Sequence, residues 1–138
     1  MSKVFLISSN TAIDPYPVYP LGMALVASAL HTGGHHVFQF DLLAGDQPEV
    51  RLKKSLLEYR PDFVGISLRN IDNVDSLTSD NNWYLEEVKL LIEKIRKLTD
   101  APIIVGGPAF SIMPQDILDY TRADYGIVGE GERAFNGL

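Results

Sequence analysis

A chain of 138 residues with 46% hydrophobic and 22% charged residues has the size and balance of one globular domain, and is too apolar for a disordered one. It holds no Cys, which excludes disulfides, thiolate zinc sites, iron–sulfur clusters and a cysteine nucleophile within it. Twelve Lys and Arg against eighteen Asp and Glu leave a formal charge of −6, the wrong sign for a nucleic-acid partner. Apolar stretches fall short of the ~20 residues that span a bilayer, and Met1-Ser2-Lys3 shows no cleavage signal. The expectation is a cytoplasmic domain that meets neither membrane nor nucleic acid.

The chain alternates two periodicities. Val4–Ser8 reads as a first strand, and the loop Ser9–Pro20 after it is longer than a connection needs. Leu21–Thr32 is a helix that is apolar nearly all round, kept slim by Ala24, Ala27, Ser28 and Ala29. His36–Phe40 is a second strand, followed by a helix over Pro48–Tyr59 that carries Leu52, Leu56 and Tyr59 at helical spacing. Asp62–Leu68 is a third strand, leading into a second long loop, Arg69–Trp83. Tyr84–Leu98 has the strongest helical period, with Leu85, Val88, Leu91, Ile92, Ile95 and Leu98 on one face and Glu and Lys on the other. Pro102–Val105 is a fourth strand, Gln115–Tyr120 a short helix with Pro114 near its start, and Asp124–Val128 a fifth strand.

Strands joined by crossover helices predict a flavodoxin-like (Rossmann-like) α/β fold: a five-stranded parallel sheet of order 2-1-3-4-5 with helices on both faces. Both long loops leave carboxyl ends, of strands one and three. That is where the winding of such a sheet reverses and where ligands bind. The last segment, Gly129–Leu138, starts like a loop and helix opening and stops short. The expectation is therefore a single domain over residues 1–138, excised from the N-terminal part of a longer chain.

Few segments carry chemistry by themselves. Gly106-Gly107-Pro108-Ala109 after strand four reads either as a tight turn or as an opening through which the backbone meets a flat ligand. Ser67 is placed either to hydrogen-bond a ligand or to satisfy a backbone group. Gly126, Gly129 and Gly131 lack the spacing and position of a dinucleotide fingerprint. His31, His35 and His36 fall at the edge of the sheet away from the loops, which argues for a surface role and no metal site. The acidic loop with Asp72, Asp75 and Asp80 lacks the pattern of an EF-hand. Ser67 stands where a phospho-acceptor receiver domain needs Asp, and Val128-Gly129 where it needs Lys. Ser8-Ser9-Asn10-Thr11 runs into Asp14, Pro15 and Pro17 where a flavodoxin needs a phosphate-cradling helix start.

Taken together, Tyr19-Pro20-Leu21-Gly22, Gly34-His35-His36-Val37, Pro61-Asp62-Phe63-Val64-Gly65-Ile66-Ser67, Pro102-Ile103-Ile104-Val105-Gly106-Gly107-Pro108 and Asp124–Glu132 have an order and spacing that resembles the N-terminal cobalamin-binding domain of cobalamin-dependent radical S-adenosylmethionine enzymes. The resemblance implies a cobalamin whose nucleotide tail extends into the domain, and a parent enzyme that is most often a methyltransferase. It implies that Ser67 hydrogen-bonds the tail, that Gly106 and Gly107 admit it, and that Gly129, Glu130 and Gly131 line its far side. The remaining binding residues it suggests are Ser9, Asn10, Tyr19, Leu21, Gly22, Leu68 and Pro108. With the corrin on the loops after strands one and three, geometry rather than the resemblance places Arg69 or Asn70 near the lower face of cobalt. The loop Asn10–Pro17 holds no His, so the Asp-x-His-x-x-Gly ligation of the methionine-synthase type is absent. S-adenosylmethionine and an iron–sulfur cluster belong to a downstream radical domain of the parent chain. This segment carries no catalytic residue of its own. The alternative is a non-catalytic α/β docking domain that has lost its cofactor.

Overall fold

The computed structural model describes residues 2–9, 21–42, 46–68 and 82–129. Chain order is β1 (Lys3–Ser8), α1 (Leu21–Thr32), β2 (His36–Asp41), α2 (Pro48–Tyr59), β3 (Phe63–Ser67), α3 (Asn82–Leu98), β4 (Ile103–Gly106), α4 (Pro108–Ile112), α5 (Pro114–Thr121) and β5 (Tyr125–Gly126). All strand pairs are parallel and the sheet runs β2-β1-β3-β4-β5, so the predicted fold class and strand order hold.

Local chemistry accounts for the helix ends. Pro48 opens α2, where its missing N–H costs nothing, and Arg60 in the left-handed region closes it with its N–H on Leu56 O. Helix α1 ends on Gly34 at φ 90°. There Gly34 N–H reaches His31 O and His35 N–H reaches Leu30 O, both at 3.0 Å, which satisfies two carbonyls that a helix end leaves bare.

Alternation along the strands sorts the core into two layers. Phe5, Ile7, Val64, Ile66, Ile103 and Val105 face α2, α3 and α5, meeting Leu52, Leu56, Val88, Ile92, Ile95 and Ile117. Val4, Leu6 and Ile104 face α1, meeting Met23, Ala27 and Leu30. Two aspartates secure the amino edge of the sheet. Asp62 accepts Lys3 N–H at 2.8 Å, and Asp124 accepts Ile103 N–H at 2.8 Å and Arg96 at 3.2 Å. Each carboxylate thus holds the first amide of a neighbouring strand.

Two differences from the sequence reading stand out. Residues 108–112 form a helix, α4, whose five residues are too few for a periodic signal. Strand β5 is only Tyr125–Gly126, shorter than the expected Asp124–Val128. Phe110 is the reason β5 tolerates no side chain at position 126: its buried ring occupies the space a Gly126 Cβ would fill.

Candidate functional site

The carboxyl edge of the sheet is built from the residues that end the strands. Register places Asp41 beside Ser8, Ser8 beside Ser67, and Ser67 beside Gly106. By alternation from Leu6 and Ile104, the side chains of Ser8 and Ser67, and the bare Cα of Gly106, lie on the α1 face. The row before it reads Leu6, Gly65, Ile104. Across three neighbouring strands, roughly 10 Å at ~4.8 Å per strand, the terminal row therefore carries nothing larger than a hydroxymethyl group. Ser8 is buried and Ser67 half-buried. Ala27 of α1 packs toward this face, Ala24 is half-buried, and Ser28 is exposed and takes no part in its wall.

The two glycines after β4 differ in what their missing side chains serve. A Cβ on Gly106 would sit 3.5 Å from Ile127 O and 3.7 Å from Ile127 Cβ, an ordinary contact on the α1 face. A Cβ on Gly107 would sit 2.6 Å from Leu68 O and 2.9 Å from Leu68 N. The Gly107 position is thus occupied by the main chain leaving β3, drawn in by Leu68 N–H donating to Gly106 O at 2.8 Å. Gly129 ends the segment after β5 at φ 83°, with open space where a Cβ would stand. Its N–H donates to Ser111 Oγ at 2.9 Å.

Among the residues expected to bind the cofactor, Ser67, Gly106, Gly107 and Gly129 come together along this edge. Ser9 and Leu68 turn to the other face: Ser9 Oγ donates to Ser67 O at 2.9 Å, and Leu68 is wholly buried in the layer beneath α3. Leu21 and Gly22 open α1, and Pro108 opens α4. Asn10, Tyr19, Arg69, Asn70, Glu130 and Gly131 lie outside the described residues. Ser8, Gly65 and Ser111 join the edge without having been singled out as ligands, since pairing across strands, not local sequence, brings them there.

Elsewhere the chain offers less. A groove of about 770 Å³ runs between α2 and α3, lined by Leu42, Leu52, Val88 and Leu91 and crossed by the Lys94–Glu49 ion pair at 2.6 Å. His36 pairs with Lys3 at the amino edge, and His35 Nδ1 accepts Ser2 N–H at 3.1 Å. Among the described residues no group of three metal-ligating side chains converges, and no helix is long and apolar enough to cross a membrane. Burial, reinforced by the nearby Asp62 charge, raises the Tyr59 phenol above its ordinary pKa. That residue stands at the end of α2, remote from the carboxyl edge.

A wound parallel sheet with a small-residue row at its carboxyl edge is a ligand-holding architecture. The chain belongs to the B12-binding domain family, whose sequence profile matches residues 10–138. It is 34% identical over 131 residues, 94% of its length, to the tryptophan 2-C-methyltransferase of Streptomyces laurentii, and spans 21% of that protein. It is 30% identical over 115 residues to the hopanoid C-3 methylase of Methylococcus capsulatus, covering 82% of this chain and 20% of that one. Among solved structures, the radical S-adenosylmethionine methyltransferase TsrM from Kitasatospora setae, with cobalamin and a [4Fe-4S] cluster bound, superposes with a TM-score of 0.82 at 31% identity. That match covers 99% of this chain and 24% of TsrM. The resemblance read from the sequence motifs is therefore a true relationship: this is a cobalamin-binding domain of the kind found in radical S-adenosylmethionine enzymes.

Proposed function

We propose that the domain holds cobalamin with its nucleotide tail along the α1 face, in the strip formed by Ser8, Gly65, Ser67 and Gly106. The observation that carries this reading is the run of small residues, Ser8, Ser67 and Gly106, standing side by side across three neighbouring strands with Gly65 behind them. Hydroxyls at a half-buried edge need partners, and a tail bearing phosphate, ribose and amide groups supplies both donors and acceptors. Gly106 leaves the depth for it. Gly107 contributes indirectly, by letting the chain after β3 close against β4 and fix the floor of the strip. The corrin then rests on the loops after β1 and β3.

Bound cobalamin supplies a cobalt centre able to carry a methyl group or assist a radical rearrangement, and the protein provides placement and surroundings. No His lies between Asn10 and Pro20, so the lower cobalt position is free of a histidine from that loop. The cob(II)alamin form should show no nitrogen coupling from a protein ligand in its electron paramagnetic resonance spectrum. We place the domain at the N-terminal side of a methyltransferase whose downstream part binds S-adenosylmethionine and an iron–sulfur cluster. A chain without Cys leaves cluster chemistry to that part.

The test is retention of hydroxocobalamin after desalting. Near-equal stoichiometry supports the reading, and a colourless protein refutes it in favour of a docking domain without cofactor. Gly106→Leu fills the strip and should abolish retention while the circular dichroism of the domain is kept. Ser67→Val, a β-compatible change that fills the strip and removes the hydroxyl, should weaken retention as well. Retention unchanged in both variants would place the tail elsewhere.

A further inference from the structure

Two turns end the strands on the β4–β5 side of the carboxyl edge, and each contains a glycine in a conformation that other residues avoid: Gly107 at φ 103° and Gly129 at φ 83°. A single side chain joins them. Ser111 Oγ donates to Gly107 O at 3.3 Å and accepts Gly129 N–H at 2.9 Å. The hydroxyl has one proton and two lone pairs, so its direction is determined: the proton goes to Gly107, and a lone pair is left for Gly129.

The two turns differ in what else restrains them. Gly107 is packed against the Leu68 main chain, which is itself bonded to Gly106 O. The Gly129 turn has nothing within 4 Å of its Cβ position, and the preceding Val128 is 60% exposed. Ile127 ties the start of this segment to β4, with its N–H on Val105 O at 2.8 Å and its side chain buried; beyond it, among the described residues, the hydrogen bond to Ser111 fixes the Gly129 amide relative to the β4 turn.

We infer that Ser111 is a positioning residue for the cobalamin site, a latch that holds the turn after β5 at a fixed distance from the turn after β4. The inference rests on the reading that cobalamin occupies the strip on the α1 face, whose far side the Gly129 turn borders. A turn already in place loses no freedom when the ligand arrives, whereas a free one must be ordered at the expense of affinity. Ser111 itself sits on α4, a segment too short to carry a periodic signal.

The experiment is hydroxocobalamin titration of the 138-residue chain and its variants, paired with amide hydrogen exchange of the cofactor-free proteins. Ser111→Ala should weaken binding about three- to tenfold, the range one net hydrogen bond supplies, and should speed exchange at the Gly129 amide. Core amides such as those of Ile66 and Val105 should keep their protection. Ser111→Thr retains the oxygen and should restore both readouts. Wild-type affinity in the Ala variant, or failure of the Thr variant to restore it, overturns the latch alone. Absence of binding by the wild-type chain overturns the cofactor reading, and the latch as a cofactor device falls with it.

Discussion

Replacing Gly107 by Ala adds one methyl group at the most confined point of the carboxyl edge. The residue has φ 103° and ψ 172°, a region open essentially to Gly and costing roughly 1–3 kcal/mol for any other residue. The new Cβ would meet Leu68 O at 2.6 Å and Leu68 N at 2.9 Å, inside normal contact distance. Those atoms have no retreat, because Leu68 N–H is bonded to Gly106 O and the Leu68 side chain is wholly buried. Overpacking of that kind costs about 1–3 kcal/mol more. The sum, roughly 2–6 kcal/mol, is a large share of the ~5–15 kcal/mol that holds a domain together. With m near 2 kcal/mol/M for urea, the unfolding midpoint should fall by about 1–3 M. Gly106→Ala is the control: its Cβ meets only ordinary contacts at 3.5 and 3.7 Å, and its stability should stay within about 1 kcal/mol of the parent. A Gly107→Ala chain within ~0.5 kcal/mol of the parent, or a Gly106→Ala chain damaged as badly, would show that the two positions are not divided between packing and access in this way.

Two further outcomes are expected. Asp124→Ala removes the acceptor of Ile103 N–H and the partner of Arg96, and should cost about 1–3 kcal/mol in urea unfolding at neutral pH; Asp124→Asn, which keeps one acceptor oxygen, should recover part of it. Tyr59→Phe deletes a buried hydroxyl that has no hydrogen-bond partner, so stability at neutral pH should hold or rise slightly. Because burial and Asp62 raise the folded-state pKa of Tyr59, the neutral phenol is favoured on folding. Its contribution is complete below the unfolded value near 10 and is lost as pH climbs through the folded value. Urea midpoints on either side of that value should show a smaller alkaline loss for Tyr59→Phe than for the parent, and an identical loss would contradict this account.

Much of the architecture was legible in the sequence because it is written in short-range periods. Leu52 and Leu56, or Val88, Ile92 and Ile95, recur every three or four residues whatever the rest of the chain does, and the bounds of α1 and α2 match the sequence pattern. The order of the strands followed from the flavodoxin-like class, in which the strands that lead into the two long loops, the first and third, are neighbours at the switch point. Even the family was readable, since Gly-Gly-Pro after one strand and Pro-Asp before another keep their spacing.

What sequence alone left open was the use of each small residue. Gly106 and Gly107 are neighbours with the same lack of a side chain, yet one faces the α1 strip and the other faces the main chain of β3. Ser8 and Ser67 are 59 positions apart in the chain and adjacent in the sheet, while Ser9, next to Ser8, turns to the opposite layer. Ser111 gains its role only because β5 returns alongside β4. A side chain's direction is decided by strand alternation, but what it meets is decided by register between strands, and register is a property of the assembled sheet.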